Sequence, residues 1–403
     1  MTKLLPESAS GTRKCVVKQG NALSDTYYML NFAVVTFLLA FFSSVVVTPF
    51  IRRVAPSLGL VDQPGHRKVH FMPTPMGGGI AVAIGLSVPF LFVLIPNGLK
   101  TVVPLWAELL PDTLDPTARW QMLGIVIGAS ILFFLGLADD RWNLSWKMRL
   151  GLQVAVAFGV TQSGVQATVF VAQPWIGIGI TVLWILVLTN AMNFLDNMDG
   201  LSAGIGVIAA LMSVAILLLM VQQPHWSVAF FLLALGGSLS GFLCWNKPPA
   251  SIFMGDSGSN LIGFLLATLT VSGTFYEHSG SRHVILAPLC VLAVPLYDFV
   301  TVILIRLKEG RSPFHGDKSH FSHRLVELGL KPANAVLTIH LATLMTGLGG
   351  LLLYKVQDWT GAFLIIALIC CVLCLISILE TVGRRSLSSQ AADDAVPESS
   401  SAT

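Results

Sequence analysis

Long apolar runs recur along this chain, and they constrain its fold more than any other feature. We find eleven runs of about 20 residues that carry almost no charge. Such a run crosses a bilayer as a helix, and the alternating pattern of a membrane barrel strand is absent. The sequence therefore predicts an all-α, polytopic membrane protein with about eleven transmembrane helices. The runs lie at about 28–50, 76–96, 121–138, 150–170, 175–192, 201–221, 227–244, 259–275, 284–305, 335–355 and 361–379.

The composition agrees with this fold class and marks two polar tails. Of the 403 residues, 54% are hydrophobic and only 11% are charged, whereas a soluble domain carries about 25% charged residues. We divide the chain into an N-terminal polar tail (1–27), a transmembrane domain (28–380) and a C-terminal tail (381–403). The C-terminal tail is polar and of low complexity, and we expect it to be disordered.

The Lys and Arg residues between the runs predict the orientation. If the first helix runs from outside to inside, the cytoplasmic segments carry twice as many Lys and Arg residues as the outer ones, as the positive-inside rule requires. The basic N-terminal tail argues the other way. We expect a multi-pass protein of the cytoplasmic (inner) cell membrane, with its N-terminus outside, its C-terminus inside and cytoplasmic catalytic loops.

Acids and amides collect at the cytoplasmic ends of the predicted helices. Asp139 and Asp140 end the third run, and Asp256 precedes the eighth. Each acid alone could cap a helix, but three caps would not need the surrounding carboxamides. Together these groups suit Mg²⁺, with Mn²⁺ as a substitute, because Mg²⁺ takes few protein ligands and leaves room for phosphate oxygens. The stretch NAMNFLDNMDG adds Asn190, Asn193, Asp196, Asn197 and Asp199.

Basic residues flank these acids on the same side of the membrane. Arg67, Lys68 and Lys147 are candidates for binding a lipid phosphate or a diphosphate. A second basic cluster, which contains His320, follows the ninth run. The combination indicates phosphoryl transfer between a water-soluble nucleotide and a lipid.

Four motifs in this order resemble those of the polyprenyl-phosphate N-acetylhexosamine-1-phosphate transferases. They are LADDRWNLSWKMR, NAMNFLDNMDGLSAG, FMGDSGS, and PLYDFV followed by GRSPFHGDKSHFSHRL. The resemblance covers roughly residues 30–380. It is stronger to the bacterial UDP-GlcNAc:undecaprenyl-phosphate GlcNAc-1-phosphate transferases than to the phospho-N-acetylmuramoyl-pentapeptide transferases. It implies Mg²⁺-dependent transfer of GlcNAc-1-phosphate from a UDP-sugar to undecaprenyl phosphate, with release of UMP, for a cell-envelope polysaccharide.

The resemblance also implies roles for individual residues near the reacting phosphates. It makes Asn193 and Asp256 magnesium ligands. It places Asp139 and Asp140 near the lipid phosphate, with Asp139 as the candidate base, and Asp196 completes the candidate catalytic set.

For the nucleotide and sugar, the resemblance implies a separate group of contacts. Phe253 would stack on uracil, and Asp199 would read it. The family often has His-x-His-His in its histidine loop, whereas this chain has Ser322 in the middle position, which leaves open how the diphosphate is held and which sugar is accepted. The full set is Asn190, Asp199, Phe253, His320, His323 and Arg324.

Several alternatives stay open at this point. A secondary transporter of an anionic solute would need charges at the bilayer midplane, where only Asp298 lies well inside a run. A lipid phosphotransferase with an Asp-Gly-x-x-Ala-Arg motif fits poorly, because Asp199 and Gly200 precede Leu-Ser-Ala-Gly. The muramoyl-pentapeptide branch is the alternative within the family.

The expected partners are a polyprenyl phosphate, a UDP-amino sugar and membrane lipids, without nucleic acid; a homodimer is left open. The lipid phosphate could attack directly, or an aspartate could first form a phospho-enzyme. We favour direct attack, because a phosphate whose second pKa lies near 6 needs little proton removal at neutral pH.

Overall fold

The structure is a computed structural model that describes residues 22–63, 73–94, 115–167, 173–221, 225–273, 281–313 and 319–394, with side chains between 27 and 380. In these ranges the chain is almost entirely helical, which confirms the all-α prediction. The only strands among them are β1 (Val61–Asp62) and β2 (Thr74–Pro75), which pair antiparallel.

The helices follow the predicted runs in order. Short 3-10 helices at Ala55–Leu58 and Arg282–Leu286 precede β1 and α9. The α-helices are α1 (Ala22–Val54), α2 (Gly78–Leu94), α3 (Pro116–Trp142), α4 (Trp146–Gln162), α5 (Pro174–Leu195), α6 (Leu201–Leu219), α7 (Trp226–Asn246), α8 (Asp256–Gly273), α9 (Ala287–Val291), α10 (Ala293–Lys308), α11 (Phe321–Glu327), α12 (Pro332–Leu353) and α13 (Trp359–Asp394).

Seven helices in the described ranges are long and apolar enough to cross a membrane. There are eight if the bent pair Arg282–Val291 and Ala293–Lys308, whose axes meet at 67°, forms one span. The protein is therefore a polytopic membrane protein. The other three predicted runs form α2, α4 and α8, which are only 17, 17 and 18 residues long. Eleven spans thus stays a prediction.

The terminal helices extend past the predicted domain boundaries. Helix α1 begins at Ala22 instead of residue 28, and α13 continues to Asp394 instead of ending at 380. The sequence predicted a disordered tail from 381, whereas the structure has a helix as far as Asp394; the domain boundaries themselves stay predictions. Arg384, Arg385, Leu387, Gln390, Ala391 and Ala392 in this segment favour a helix, and the next proline is Pro397. Residues 1–21 and 395–403 lie outside the described ranges.

The core lies around α6, α7 and α8. In α7, 78% of the apolar stretch is buried, against 11% in α13, which leaves most of α13 to face lipid. Two glycines let neighbouring helices approach α8 closely. A Cβ at Gly136 of α3 would lie 2.4 Å from the Asp256 carbonyl oxygen, and one at Gly263 of α8 would lie 2.6 Å from the Leu188 carbonyl oxygen of α5. This packing brings the polar ends of α3 and α5 to the start of α8.

Candidate active site

The site is built around the first turn of α8, which Asp140 of α3 caps. Its Oδ1 accepts the backbone N–H of Asp256 at 2.7 Å, and its Oδ2 accepts that of Ser257 at 3.2 Å. The preceding Gly255 has φ +77°, and a Cβ there would lie 2.7 Å from Asp140 Oδ2. Only glycine fits this left-handed turn so close to a carboxylate.

Arg149, in the first turn of α4, joins the two other carboxylates of the cluster. Its Nη1 pairs with Asp139 Oδ2 and donates to Asp256 Oδ2 at 3.1 Å. Asp139 is 6% exposed, and its Oδ1 accepts the Leu144 N–H at 2.6 Å. Both Asp139 oxygens therefore already have partners, which suits a positioning role better than the role of base expected from the sequence.

Arg149 is a candidate site residue that was not predicted from the sequence, although it contacts two carboxylates of the cluster. The signal that could have found it is its place in LADDRWNLSWKMR. Asn143 reverses the chain with a positive φ of 53°, and Ser145 caps α4. The first turn of α4 therefore returns to the end of α3, where Asp139 lies.

Asn193, at the end of α5, meets Asp256 directly. Its Nδ2 donates to Asp256 Oδ1 at 2.8 Å and to Ser259 Oγ at 3.0 Å. Its Oδ1 accepts no hydrogen bond from the described residues. The structure thus brings together the two residues expected to share a metal ion, from segments 63 positions apart.

The donor set fits a hard divalent cation. Asp139, Asp140 and Asp256 face one another, and among the described residues the guanidinium of Arg149 joins Asp139 and Asp256. Carboxylate and amide oxygens are the ligands that Mg²⁺ prefers, and it uses few of them. Within the described ranges no three His, Cys, Asp or Glu side chains are arranged to hold a metal alone.

Asp196 and Asp199 lie on the loop between α5 and α6. Ser202 Oγ donates to Asp196 Oδ1 at 2.6 Å. Burial raises the pKa of Asp196 to about 7; the hydrogen bond from Ser202 lowers it, and the negative charge of Asp140 raises it. Asp196 therefore changes charge close to neutral pH.

Asp199 and Phe253 lie on two different loops that are joined by a hydrogen bond. Asp199 Oδ2 accepts the Ala250 N–H at 2.8 Å, in the segment that leads to Phe253. The Phe253 N–H donates to the Pro75 carbonyl oxygen of β2 at 2.9 Å, and the ring is partly exposed. This placement is compatible with the predicted nucleotide pocket, which stays a prediction.

Asp298 of α10 holds the start of α11, where the predicted histidine loop lies. Asp298 is fully buried. Its Oδ2 lies 3.0 Å from His320 Nδ1, and its Oδ1 accepts the Phe321 N–H at 2.6 Å. Asp298, the acid that lies well inside a predicted run, therefore orients His320 and caps α11. No such role of Asp298 was predicted from the sequence.

Ser322 ties α11 to the loop after α5. Its Oγ donates to Asn197 Oδ1 at 2.6 Å, and the side chain is fully buried. The position where this chain departs from the family's usual histidine is therefore an internal contact. The neighbouring His323 is partly exposed on α11.

Two predicted substrate ligands have other surroundings. Arg324 is 2% exposed, donates to the Ser319 carbonyl oxygen at 2.8 Å and lies 3.0 Å from Glu380 Oε2. Its guanidinium is enclosed between α10, α11 and α13, so Arg324 holds α11 in this structure, and its predicted contact with a substrate stays a prediction. Asn190 lies one turn below Asn193, where its Nδ2 donates to Gln153 Oε1. It is therefore a helix-to-helix contact in this structure.

The remaining predicted phosphate ligands are only partly described. Lys147 is exposed at the start of α4, two residues before Arg149. Its Nζ lies 5.8 Å from the centre of the Trp146 ring. Arg67 and Lys68 lie outside the described residues.

Residues 122–274, which carry Asp139, Asn193 and Asp256, match the model of glycosyl transferase family 4. The chain is 32% identical over 344 residues to the "probable undecaprenyl-phosphate N-acetylglucosaminyl 1-phosphate transferase" of Bacillus subtilis (strain 168), covering 83% of this chain and 89% of that relative. This polytopic membrane protein belongs to glycosyl transferase family 4.

Two further relatives agree with this membership. The "decaprenyl-phosphate N-acetylglucosaminephosphotransferase" of Mycolicibacterium smegmatis (strain ATCC 700084 / mc(2)155) is 34% identical over 319 residues, which cover 73% of this chain and 75% of the relative. The "undecaprenyl-phosphate alpha-N-acetylglucosaminyl 1-phosphate transferase" of Escherichia coli (strain K12) is 29% identical over 328 residues, covering 77% and 82%.

Proposed function

We propose that this protein transfers N-acetylglucosamine-1-phosphate from UDP-GlcNAc to a polyprenyl phosphate, releases UMP and so starts a lipid-linked glycan. The observation that carries the proposal is the meeting of Asp139, Asn193 and Asp256 at one rim of a membrane protein. Membership of glycosyl transferase family 4 and relatives named for transfer to undecaprenyl or decaprenyl phosphate support it.

In the proposed reaction, an oxygen of the polyprenyl phosphate attacks the phosphorus that carries the sugar. The new P–O bond forms as the bond from this phosphorus to the UMP oxygen breaks, and UMP leaves with the electron pair. A phosphate with a second pKa near 6 is largely dianionic at neutral pH, so orientation of the substrates matters more than a base. The paired oxygens of Asp139 support this direct route.

Mg²⁺, with Mn²⁺ as a substitute, is part of the proposal. Asp256 and the amide oxygen of Asn193 are the residues that would hold it, and its charge would neutralise the diphosphate. Arg149 keeps the carboxylates together, and Lys147 at the same rim is available to a phosphate oxygen. Asp199 and Phe253 are the proposed contacts of the uridine.

The proposal places this rim on the cytoplasmic side of the inner membrane. Helices α3 and α5 end there, and α4 and α8 begin there, so their polar ends share one membrane face. We propose that α2, α4 and α8 cross the membrane with the other spans, which gives eleven, with the N-terminus outside. A tag on the N-terminus that is accessible only from outside intact spheroplasts tests this orientation.

The decisive test is a donor comparison with purified protein in nanodiscs that contain undecaprenyl phosphate. With UDP-GlcNAc and Mg²⁺ we expect UMP release and a GlcNAc-diphosphate lipid, and no such product from UDP-MurNAc-pentapeptide. The Asp256→Asn variant should insert and fold but lose nearly all transfer. A product from the pentapeptide donor alone, or full activity of Asp256→Asn, contradicts the proposal. A labelled phospho-enzyme would overturn direct attack.

A further inference from the structure

A second layer of polar side chains lies directly beneath the active site. The upper, ionic layer consists of Arg149 on α4, Asn193 on α5 and Asp256 on α8. The same three helices each present one amide side chain one turn deeper in the membrane. Residues three or four positions apart share one face of a helix, so the layers are about 5–6 Å apart. This amide layer consists of Gln153, Asn190 and Asn260.

The side chains of the amide layer bind one another. Asn190 Nδ2 donates to Gln153 Oε1 and to the Leu186 carbonyl oxygen, both at 2.8 Å. Gln153 Nε2 lies 3.5 Å from Asn260 Oδ1. Gln153 and Asn260 are each 3% exposed. Buried amides within a membrane protein are costly unless they are paired, so their presence calls for a specific reason.

The packing of α4 shows what these side chains do. Helices α3 and α5 approach α8 closely at Gly136 and Gly263. In the described ranges α4 packs mainly on α3 and α5. Its contacts with α8 that carry polar groups are made by Arg149 and Gln153, which lie four positions apart on one face of α4. Arg149 and Gln153 are therefore the polar side chains that connect α4 to α8.

We propose that the amide layer sets the register of α4 against α5 and α8 and thereby places Arg149 and Asn193 on Asp256. Gln153 and Asn190 are positioning residues for the transfer reaction, so the inference rests on the proposed function. Buried polar residues between helices fix register at some cost in stability, and single hydrogen bonds between membrane helices add little net stability. Losing the amide layer should therefore harm activity more than stability.

The test compares Gln153→Met, Asn190→Leu and the double variant with a matched control. The control is Gln162→Met, the same change at the exposed outer end of α4. We expect kcat for UMP release to fall about 10- to 100-fold in each single variant. The double variant should lose no more than the worse single one, because both remove the same contact. The midpoint of thermal unfolding should change as little as in Gln162→Met.

A second measurement needs neither substrate nor metal. Spin labels at Phe158 of α4 and Leu183 of α5, both exposed, report the distance between the helices in a cysteine-free background. We expect Gln153→Met to broaden or shift the distance distribution, and Gln162→Met to leave it unchanged. An unchanged distribution in Gln153→Met, or an unchanged kcat, would overturn the register role. If the parent protein releases no UMP, the proposed function fails, while the distance measurement still decides the register role.

Discussion

Asp140 of α3 accepts the backbone N–H of Asp256 at 2.7 Å, so one acid of the cluster holds the helix that carries another. The two residues lie 116 positions apart along the chain. The two adjacent acids at the end of α3 therefore have different structural roles. Asp139 binds Arg149, whereas Asp140 fixes the start of α8.

The first prediction concerns this cap. Asp140→Ala should lower the free energy of unfolding by about 1 kcal/mol, as a lost cap does, and abolish transfer. Asp115→Ala removes the cap of α3, whose Asp115 Oδ2 accepts the Thr117 N–H at 3.0 Å far from the site, and should cost similar stability with full activity. Asp140→Asn keeps one acceptor and should retain measurable activity; if it is as inactive as Asp140→Ala, the charge matters and not the cap.

Arg149→Gln should reduce kcat by at least about 100-fold. Removing the guanidinium leaves the carboxylates of Asp139 and Asp256 facing each other without their shared cation. Arg149→Lys keeps the charge and should fall between Arg149→Gln and the parent. The exposed Arg141, on the last turn of α3, provides the control Arg141→Gln. Equal losses in both Gln variants would assign the effect to net charge at the rim.

Asp298→Asn should lower kcat/KM about 10- to 100-fold while the protein still folds. The Asp298 carboxylate lies 3.0 Å from His320 Nδ1 and caps α11, so an amide weakens the hold on the ring. His320→Ala should cause a similar loss. The double variant should be no worse than either single variant, because both act through one contact; losses that multiply would show independent roles.

Substitutions of Ser322 test whether this residue of the histidine loop stabilises the fold through its buried hydrogen bond. Ser322→Ala removes the hydrogen bond to Asn197 and should cost about 1 kcal/mol of unfolding free energy. Ser322→His inserts a ring at a fully buried position and should cost about 1–3 kcal/mol. Thermal or denaturant unfolding in detergent measures both. A His variant as stable as the parent would show that the site has room for the ring.

The acidic limb of the pH–rate profile should report Asp196. Its pKa is raised to about 7 mainly by burial, so lowering the pH through 7 protonates it. If the reaction uses the carboxylate, activity falls below pH 7. Ser202→Ala removes the hydrogen bond that stabilises the charged form, which should raise this pKa and move the limb upward by about one pH unit. A limb that does not move belongs to another group, such as the acceptor phosphate.

The amino-acid sequence by itself determined the class of fold and the inventory of the site. Hydrophobicity along about 20 residues decides whether a segment is a membrane helix, and the described part of each of the eleven apolar runs is mostly helical. The acids and amides that lie between such runs, among them Asp139, Asn193 and Asp256, stand out because burying them in lipid would be costly. Their chemistry could therefore be inferred before their positions were known.

Only the tertiary structure decided which of these groups meet. Arg149 and Asp256 lie 107 positions apart, and their contact depends on how α3 and α5 pack on α8 through glycines. The same packing turned Arg324 inward to Glu380 and Asn190 toward Gln153, although both had been expected to bind substrate. Residue type and spacing show which interactions a side chain can make. Its actual partner depends on how helices that are distant in sequence pack against each other.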